Sequence, residues 1–266
     1  MNHRRALYHI LMVLPALLLS PESYTCRLDW GLSGVRRAVA RQDVVVIVDV
    51  LRFSTATIVA VHHGAIIYPC APTDAPEVLA RRLGADLAAY QRDMLATHRY
   101  SLSPVSYEDV PQGTRIALPS PNGAACSRIG RGAPYLFVGA LVNAAAVGAV
   151  VAGLVTSADL EVTVIACGER WPSPTEDGAL RVAVEDYLGA GAILSYLPFS
   201  KSPEARVCEA AFSGLRDQLR DLLWESSSGR ELRQKSLGAD VELAARLNHY
   251  ATVPIMRGEQ LERFQP

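Results

Sequence analysis

The sequence predicts an α/β protein, a three-layer α/β/α body built on a mostly parallel sheet. Two observations carry this reading. Short apolar runs rich in β-branched residues recur from Asp43 onward, and each is followed by a longer segment with helix-start and helix-stop chemistry. With 266 residues and 50% hydrophobic content, the chain can bury a large core as one large or two modest domains.

The first run, Val44 to Val50, has no polar face at its centre, as expected of a central strand covered on both sides. Ser54 or Thr55 then opens a helix through His63, which Gly64 can end in a left-handed conformation. Ala65 to Cys70 reads as the next strand. Asp74, three residues before Glu77, suggests a capping box, with Pro76 tolerated in the first turn of a helix ending by Gly84. Further strands are expected at Arg115 to Ser120, Tyr135 to Ala140 and Glu161 to Cys167. Helices are expected at Gly123 to Ile129, Ala144 to Val155 and Leu180 to Leu197. Ser202-Pro203-Glu204 opens a long helix toward Trp224, another runs from Gly238 to near Leu247, and Ala251 to Met256 closes the list as a strand.

Charge excludes some functions. Lys and Arg total 26 against 27 for Asp and Glu, so no whole-molecule field draws the chain to nucleic acid or acidic membranes, and any anion must be held locally. The five cysteines are widely separated, lack a C-x-x-C pair and are odd in number, which favours a reduced, cytoplasmic setting. Only the N-terminus disputes this, because Arg4-Arg5 precedes an apolar run from Leu7 to Leu19. Ser20-Pro21-Glu22-Ser23 offers no A-x-A-like cleavage site. Residues 1–23 are therefore read as an extension and 24–266 as the body, the alternative being export or anchoring through residues 4–20.

Ligands of open α/β sheets bind beyond the carboxyl ends of the strands, so the turns there are the ones to search. Asp49-Val50-Leu51-Arg52-Phe53-Ser54-Thr55 joins an acid, a cation and two hydroxyls at a helix start. Helix N–H groups and Arg52 suit phosphate, and Asp49 suits a hard cation. The plainer alternatives are that Ser54 only caps the helix and that Asp49 pairs with Arg52. Ser120-Pro121-Asn122-Gly123 offers an amide and a close backbone approach. Asn143 precedes an Ala-rich helix and is explained by capping alone. Cys167-Gly168-Glu169-Arg170-Trp171 leads through a Pro-rich loop to Glu185 and Asp186, a carboxylate pair in an apolar helix that asks for a Mg2+-like ion. A salt bridge from Arg181 to Glu185 is the structural alternative. No phosphate-loop, dinucleotide, nucleophile-elbow or H-E-x-x-H motif is present.

At these residues the sequence resembles the 2-phosphosulfolactate phosphatase family. The likeness runs through Val46 to Thr55, Ser120-Pro121-Asn122-Gly123, Asn143-Ala144 and Glu185 to Ala192, extending from about Asp29 to Pro254. It implies an α/β/α fold, a cytoplasmic Mg2+-dependent phosphatase and a small anionic phosphate ester of a 2-hydroxy acid. Carried over by position, it makes Asp49, Glu185 and Asp186 the acidic centre and Arg52, Ser54, Asn122 and Gly123 substrate contacts. The site expected from the turns and the resemblance together has Asp49 and Arg52 as catalytic residues, Mg2+ on Asp49, Glu185 and Asp186, and Thr55, Ser120, Asn143, Glu169 and Arg170 as further substrate contacts beside Ser54, Asn122 and Gly123. Two departures bear on the sulfonate-bearing substrate: Leu118-Pro119-Ser120-Pro121 replaces a Thr-rich stretch, and only Leu102-Ser103-Pro104 resembles the family's Gly-Asn-Ser-Pro element.

The attacking group is left between Asp49 and metal-bound water, and self-association is left open. A non-catalytic anion-binding protein on the same fold is the alternative function, and a partner-binding subunit a third.

Overall fold

A computed structural model describes residues 24–175 and 178–265. The expected extension over residues 1–23, with its signal-like run, lies outside the described residues.

Eleven strands and ten α-helices follow in chain order among the described residues. Strands β1 (Cys26–Trp30), β2 (Val44–Val48), β3 (Ile66–Cys70), β4 (Asp86–Leu87), β5 (Arg115–Pro119), β6 (Leu136–Gly139), β7 (Val162–Ala166), β10 (Pro254–Arg257) and β11 (Gln260–Arg263) make one sheet. Its order is β1-β7-β2-β6-β10-β11-β3-β5-β4. The first four strands form one parallel block and the last three another. Between them the antiparallel hairpin β10–β11 joins each block through a single bridge, Ile255 to Phe137 and Leu261 to Ile67. The predicted fold class holds.

β2 has every residue buried between β7 and β6, which explains why its sequence lacks polar alternation. Helix α1 (Gly31–Arg41) buries Gly31, Gly34, Val35 and Ala38 against the sheet, while α2 (Phe53–His62) is buried from Phe53 to Val61 and apolar on all sides. Helices α3 (Pro76–Leu83), α4 (Gly123–Ile129), α5 (Ala144–Ala158) and α6 (Val184–Leu194) complete the flanking layers. A helical segment of α7 (Pro203–Leu215), α8 (Leu219–Glu225), α9 (Ser227–Gln234) and α10 (Gly238–Ala244) follows, with α7 lying along α6.

Several elements differ from the sequence expectation. β1 and α1 precede the expected start at Asp43. Charged Arg27 and Asp29 interrupt the apolar run of β1, an edge strand, and find partners in Glu161 at 2.6 Å and Arg37 at 2.7 Å. The helix expected from Leu180 begins at Val184, because β8 (Glu169–Thr175) and β9 (Gly178–Arg181) form an antiparallel hairpin of their own. Of the apolar residues Leu180, Val182 and Val184, only Leu180 lies in β9, and Val184 opens the helix. The helix expected through Trp224 is broken by a 3-10 turn at Arg216–Gln218. A new helix, α9, then starts where the Ser226 hydroxyl accepts from the Gly229 N–H at 2.9 Å. The helix expected to reach Leu247 stops at Ala244, and β11 was not foreseen.

The Asp74–Glu77 capping box does not form. Ala75 is the residue before α3, and Asp74 instead accepts from the Ala71 N–H at 2.7 Å and pairs with Arg128. Nor does Asn143 cap α5. Its Oδ1 accepts from the Ala140 N–H at 2.9 Å and its Nδ2 donates to the Thr252 carbonyl at 2.9 Å. The cap comes from afar, with Asn248 Oδ1 accepting from the Ala145 N–H at 2.8 Å.

Asn143 thus ties the end of β6 to the segment entering the central hairpin, and it is fully buried. Asn143→Ala should destabilise the protein by about 2–3 kcal/mol in urea unfolding, because it leaves buried backbone groups unpaired. Asn248→Ala, the loss of an exposed cap, should cost about 1 kcal/mol.

Candidate active site

The site grows from the end of β2. Asp49 is 4% exposed, and its two carboxylate oxygens accept from the backbone N–H of Phe53 at 3.1 Å and of Gly123 at 2.8 Å. Phe53 opens α2 and Gly123 opens α4, so the positive ends of two helices converge on one side chain. Only glycine permits this approach: a Cβ on Gly123 would stand 2.8 Å from Asp49 Oδ2. The helix N-termini read in the sequence as a phosphate cradle are thus occupied by Asp49.

Ser54 and Thr55 fold back onto the strand end. The Ser54 hydroxyl accepts from the Asp49 N–H at 2.9 Å and donates to the Ile47 carbonyl at 3.2 Å, while Thr55 donates to the Val50 carbonyl at 2.8 Å. Both are fully buried, so they hold the turn rather than face a ligand. Ser54 is not the helix cap either.

Asp186, near the start of α6, bridges two loops. Its oxygens accept from the Val50 N–H at 2.7 Å and the Gly168 N–H at 2.8 Å, the residues next to Asp49 and to Glu169. Glu185 turns to the Ser228 hydroxyl, and Arg181 reaches Glu231 at 3.4 Å rather than forming a bond to Glu185. Across the cleft, Asn122 donates from Nδ2 to Glu169 at 2.8 Å, and its own N–H is accepted by Ser120 Oγ at 3.3 Å.

Arg52 does not pair with Asp49. Its guanidinium meets Asp240 at 2.7 Å, and the other Asp240 oxygen accepts from the Ser103 hydroxyl at 2.5 Å. Asp240 and Ser103 were missed as site residues, although the Leu102-Ser103-Pro104 element had marked the segment. Lys235, Ser228 and Glu231 were missed too, because they stand at the end of and within α9, a helix the sequence reading had not separated.

A cleft of about 190 Å3 collects Asp49, Arg52, Ser120, Asn122, Glu169 and Lys235. Arg170 instead lines an adjoining cavity. Asn143 is engaged elsewhere, and Gly123 reaches the site only through its N–H on Asp49.

Carboxylates crowd this region. Burial raises Asp49 to about 6, against the pull of its two backbone N–H donors. Burial, then the charge of Asp49, raises Glu169 to about 7 despite the Asn122 bond. Burial and neighbouring acids also hold Glu185 and Asp186 above the usual carboxylate range. Ionising such a group of acids requires positive charge. Arg52 acts on Asp49 and Arg181 on Glu169 and Glu185, but both arginines are shared with other acids, Asp240 and Glu231, and burial still holds the group above the usual carboxylate range.

An oxygen-only donor set of this kind suits a hard cation. Among the described residues, no three His, Cys, Asp or Glu side chains are grouped to hold one ion. Mg2+ does not need three, since it takes one or two carboxylates and keeps several waters. The acids lining the cleft are Asp49, Glu169 and Glu231, the last exposed and paired with Arg181. Glu185 and Asp186, expected as ligands, do not line the cleft: Glu185 is bonded to Ser228, and Asp186 accepts from the Val50 and Gly168 N–H groups behind it.

Residues 34–259 match the 2-phosphosulpholactate phosphatase family. The chain is 27% identical over 232 residues to a protein of Symbiobacterium thermophilum named as a probable 2-phosphosulfolactate phosphatase, covering 82% of this chain and 93% of that one. It is 28% identical over 223 residues to a Deinococcus radiodurans protein of the same name, covering 80% and 88%.

The raised Glu169 carboxyl gives a pH test of the metal-free protein. Folding favours its neutral form, so the native state holds more protons than the unfolded chain between 4.5 and about 7. Its contribution to stability is therefore complete below pH 4.5 and lost as pH rises through about 7. In EDTA, Glu169→Gln should match wild type near pH 4 and exceed it by on the order of 2–3 kcal/mol above pH 7. Denaturant unfolding across that range checks the sign; a constant difference would mean Glu169 is not proton-linked to folding.

Proposed function

The chain belongs to the 2-phosphosulpholactate phosphatase family, and from that premise we propose that it is a Mg2+-dependent hydrolase of a small phosphomonoester of a 2-hydroxy acid. The family and relatives' names make 2-phosphosulfolactate the first substrate to test. The observation that carries the reading is that Asp49 and Glu169 line one cleft together with Arg52 and Lys235.

Asp49 and Glu169 would hold Mg2+, which supplies charge neutralisation to the phosphate when bound. Lys235, exposed and free of any ion pair among the described residues, meets phosphate oxygens as a point charge. Arg52 is fixed in direction by Asp240, which keeps its remaining N–H groups aimed as a planar donor set. Asn122 is held by Glu169 and Ser120 and presents its amide to the ester. These groups stabilise charge on the equatorial oxygens during in-line transfer, the dominant requirement of phosphoryl transfer. The five cysteines are buried and unpaired, which supports a reducing, cytoplasmic setting.

The reading is tested by phosphate release with and without Mg2+ over 2-phosphosulfolactate, phospholactate, phosphoglycolate and phosphoglycerate. Binding without turnover would identify a non-catalytic anion-binding protein instead. Asp49→Asn should lower kcat at least 10^3-fold, with a measurable loss of stability, because the new amide sets a donor against the Phe53 or Gly123 N–H. Lys235→Ala, at an exposed position, should lower kcat/KM about 10–100-fold with an unchanged melting temperature.

Proton competition sets a further expectation. Metal binding requires both acids ionised, so Mg2+ affinity measured by calorimetry should rise as pH increases through about 6 for Asp49 and about 7 for Glu169. An affinity flat from pH 5.5 to 8 would remove these two acids from the metal site.

A further inference from the structure

A second cavity of about 290 Å3 shares a wall with the phosphate cleft, since Asn122 and Glu169 line both. Trp30, Leu32 and Leu180 give it apolar surface, and Arg36 and Arg170 give it two cations. Both arginines are exposed, and neither makes an ion pair among the described residues. Trp30 is held in place by stacking on Tyr187 at 6.0 Å with an interplanar angle of 9°. Leu180 sits against two glycines with left-handed backbones: a Cβ on Gly168 would stand 2.8 Å from its Cδ1, and one on Gly31 3.4 Å.

Size decides what fits. The cavity is larger than the adjoining cleft of about 190 Å3, at about 290 Å3. That exceeds what the short arm of a three-carbon acid fills. Apolar walls with isolated cations suit an organic body that is apolar along its length and anionic at one end.

We propose that this cavity is the subsite for the alcohol portion of the substrate, and that the portion is an aromatic or branched aliphatic 2-hydroxy acid. The inference rests on the phosphatase reading for its orientation. The phosphate occupies the Asp49 cleft, the ester passes the Asn122–Glu169 wall, the apolar body lies against Trp30, Leu32 and Leu180, and the carboxylate meets Arg36.

The experiment uses the full chain and pairs binding with turnover. Calorimetry with the product alcohols phenyllactate and lactate tests the cavity without any chemistry. Phenyllactate should bind at least tenfold more tightly, and Ala179→Phe, which places a ring in the cavity, should abolish the difference. Arg36→Gln, an exposed change on α1 that leaves folding intact, should weaken phenyllactate at least fivefold. Circular dichroism confirms that each variant is folded. Kinetics with the two phosphate esters should show the same preference in kcat/KM. Equal binding of the two alcohols, or a preference unmoved in both variants, overturns the subsite whatever the phosphatase assay gives. A clear phenyllactate preference without phosphate release from any ester supports the subsite and overturns the phosphatase reading.

Discussion

The site depends on Asp186 more than on any residue that faces the cleft. One buried carboxylate accepts from the Val50 and Gly168 N–H groups and so fixes the spacing between the turn after β2 and the turn after β7. Asp49 stands next to one anchor and Glu169 next to the other. The arrangement costs free energy, since the acid is buried among like charges, and two backbone donors offset part of that cost. Both its oxygens are turned to these loops, and it is absent from the cleft lining.

Asp49 repeats the logic at the head of two helices. Where such N–H groups are free they bind anions from solution, but here the protein has installed its own. The consequence is an acid locked in orientation with its charge partly balanced, while cationic contact with a ligand falls to side chains. Arg52 in turn is steered by Asp240, itself held by Ser103, so a segment between β4 and β5 and a helix near residue 240 both act on the same guanidinium.

The repeated strand and helix pattern was legible because β2, β5, β6 and β7 are short apolar runs with little competing signal. Asp49, Arg52, Ser120, Asn122 and Glu169 were legible as members of the cleft, since they lie in turns after strands, where α/β sheets bind ligands. The roles of Ser54, Thr55 and Asn143 were not. A hydroxyl or amide beside a helix start looks the same in sequence whether it caps, binds or folds back on the strand, and three-dimensional bonding decided each one. Lys235 and Asp240 come from a helical segment remote in sequence, and nothing local announces that it closes over the cleft. The β8–β9 hairpin was hidden by prolines and by apolar residues that read as a helix entry.

The place of the β10–β11 hairpin sets an order of assembly. Asp49 follows a strand of one parallel block and Gly123 a strand of the other, yet within the sheet the blocks meet only through residues 254–263, the last described strands in chain order. During synthesis both blocks emerge well before the piece that joins them, leaving the edges of β6 and β3 open in the interval. Completing the sheet means long-range pairing, a slow step by topology alone. The growing chain must therefore keep two unfinished sheet edges from pairing with other chains until the hairpin arrives to fill the gap.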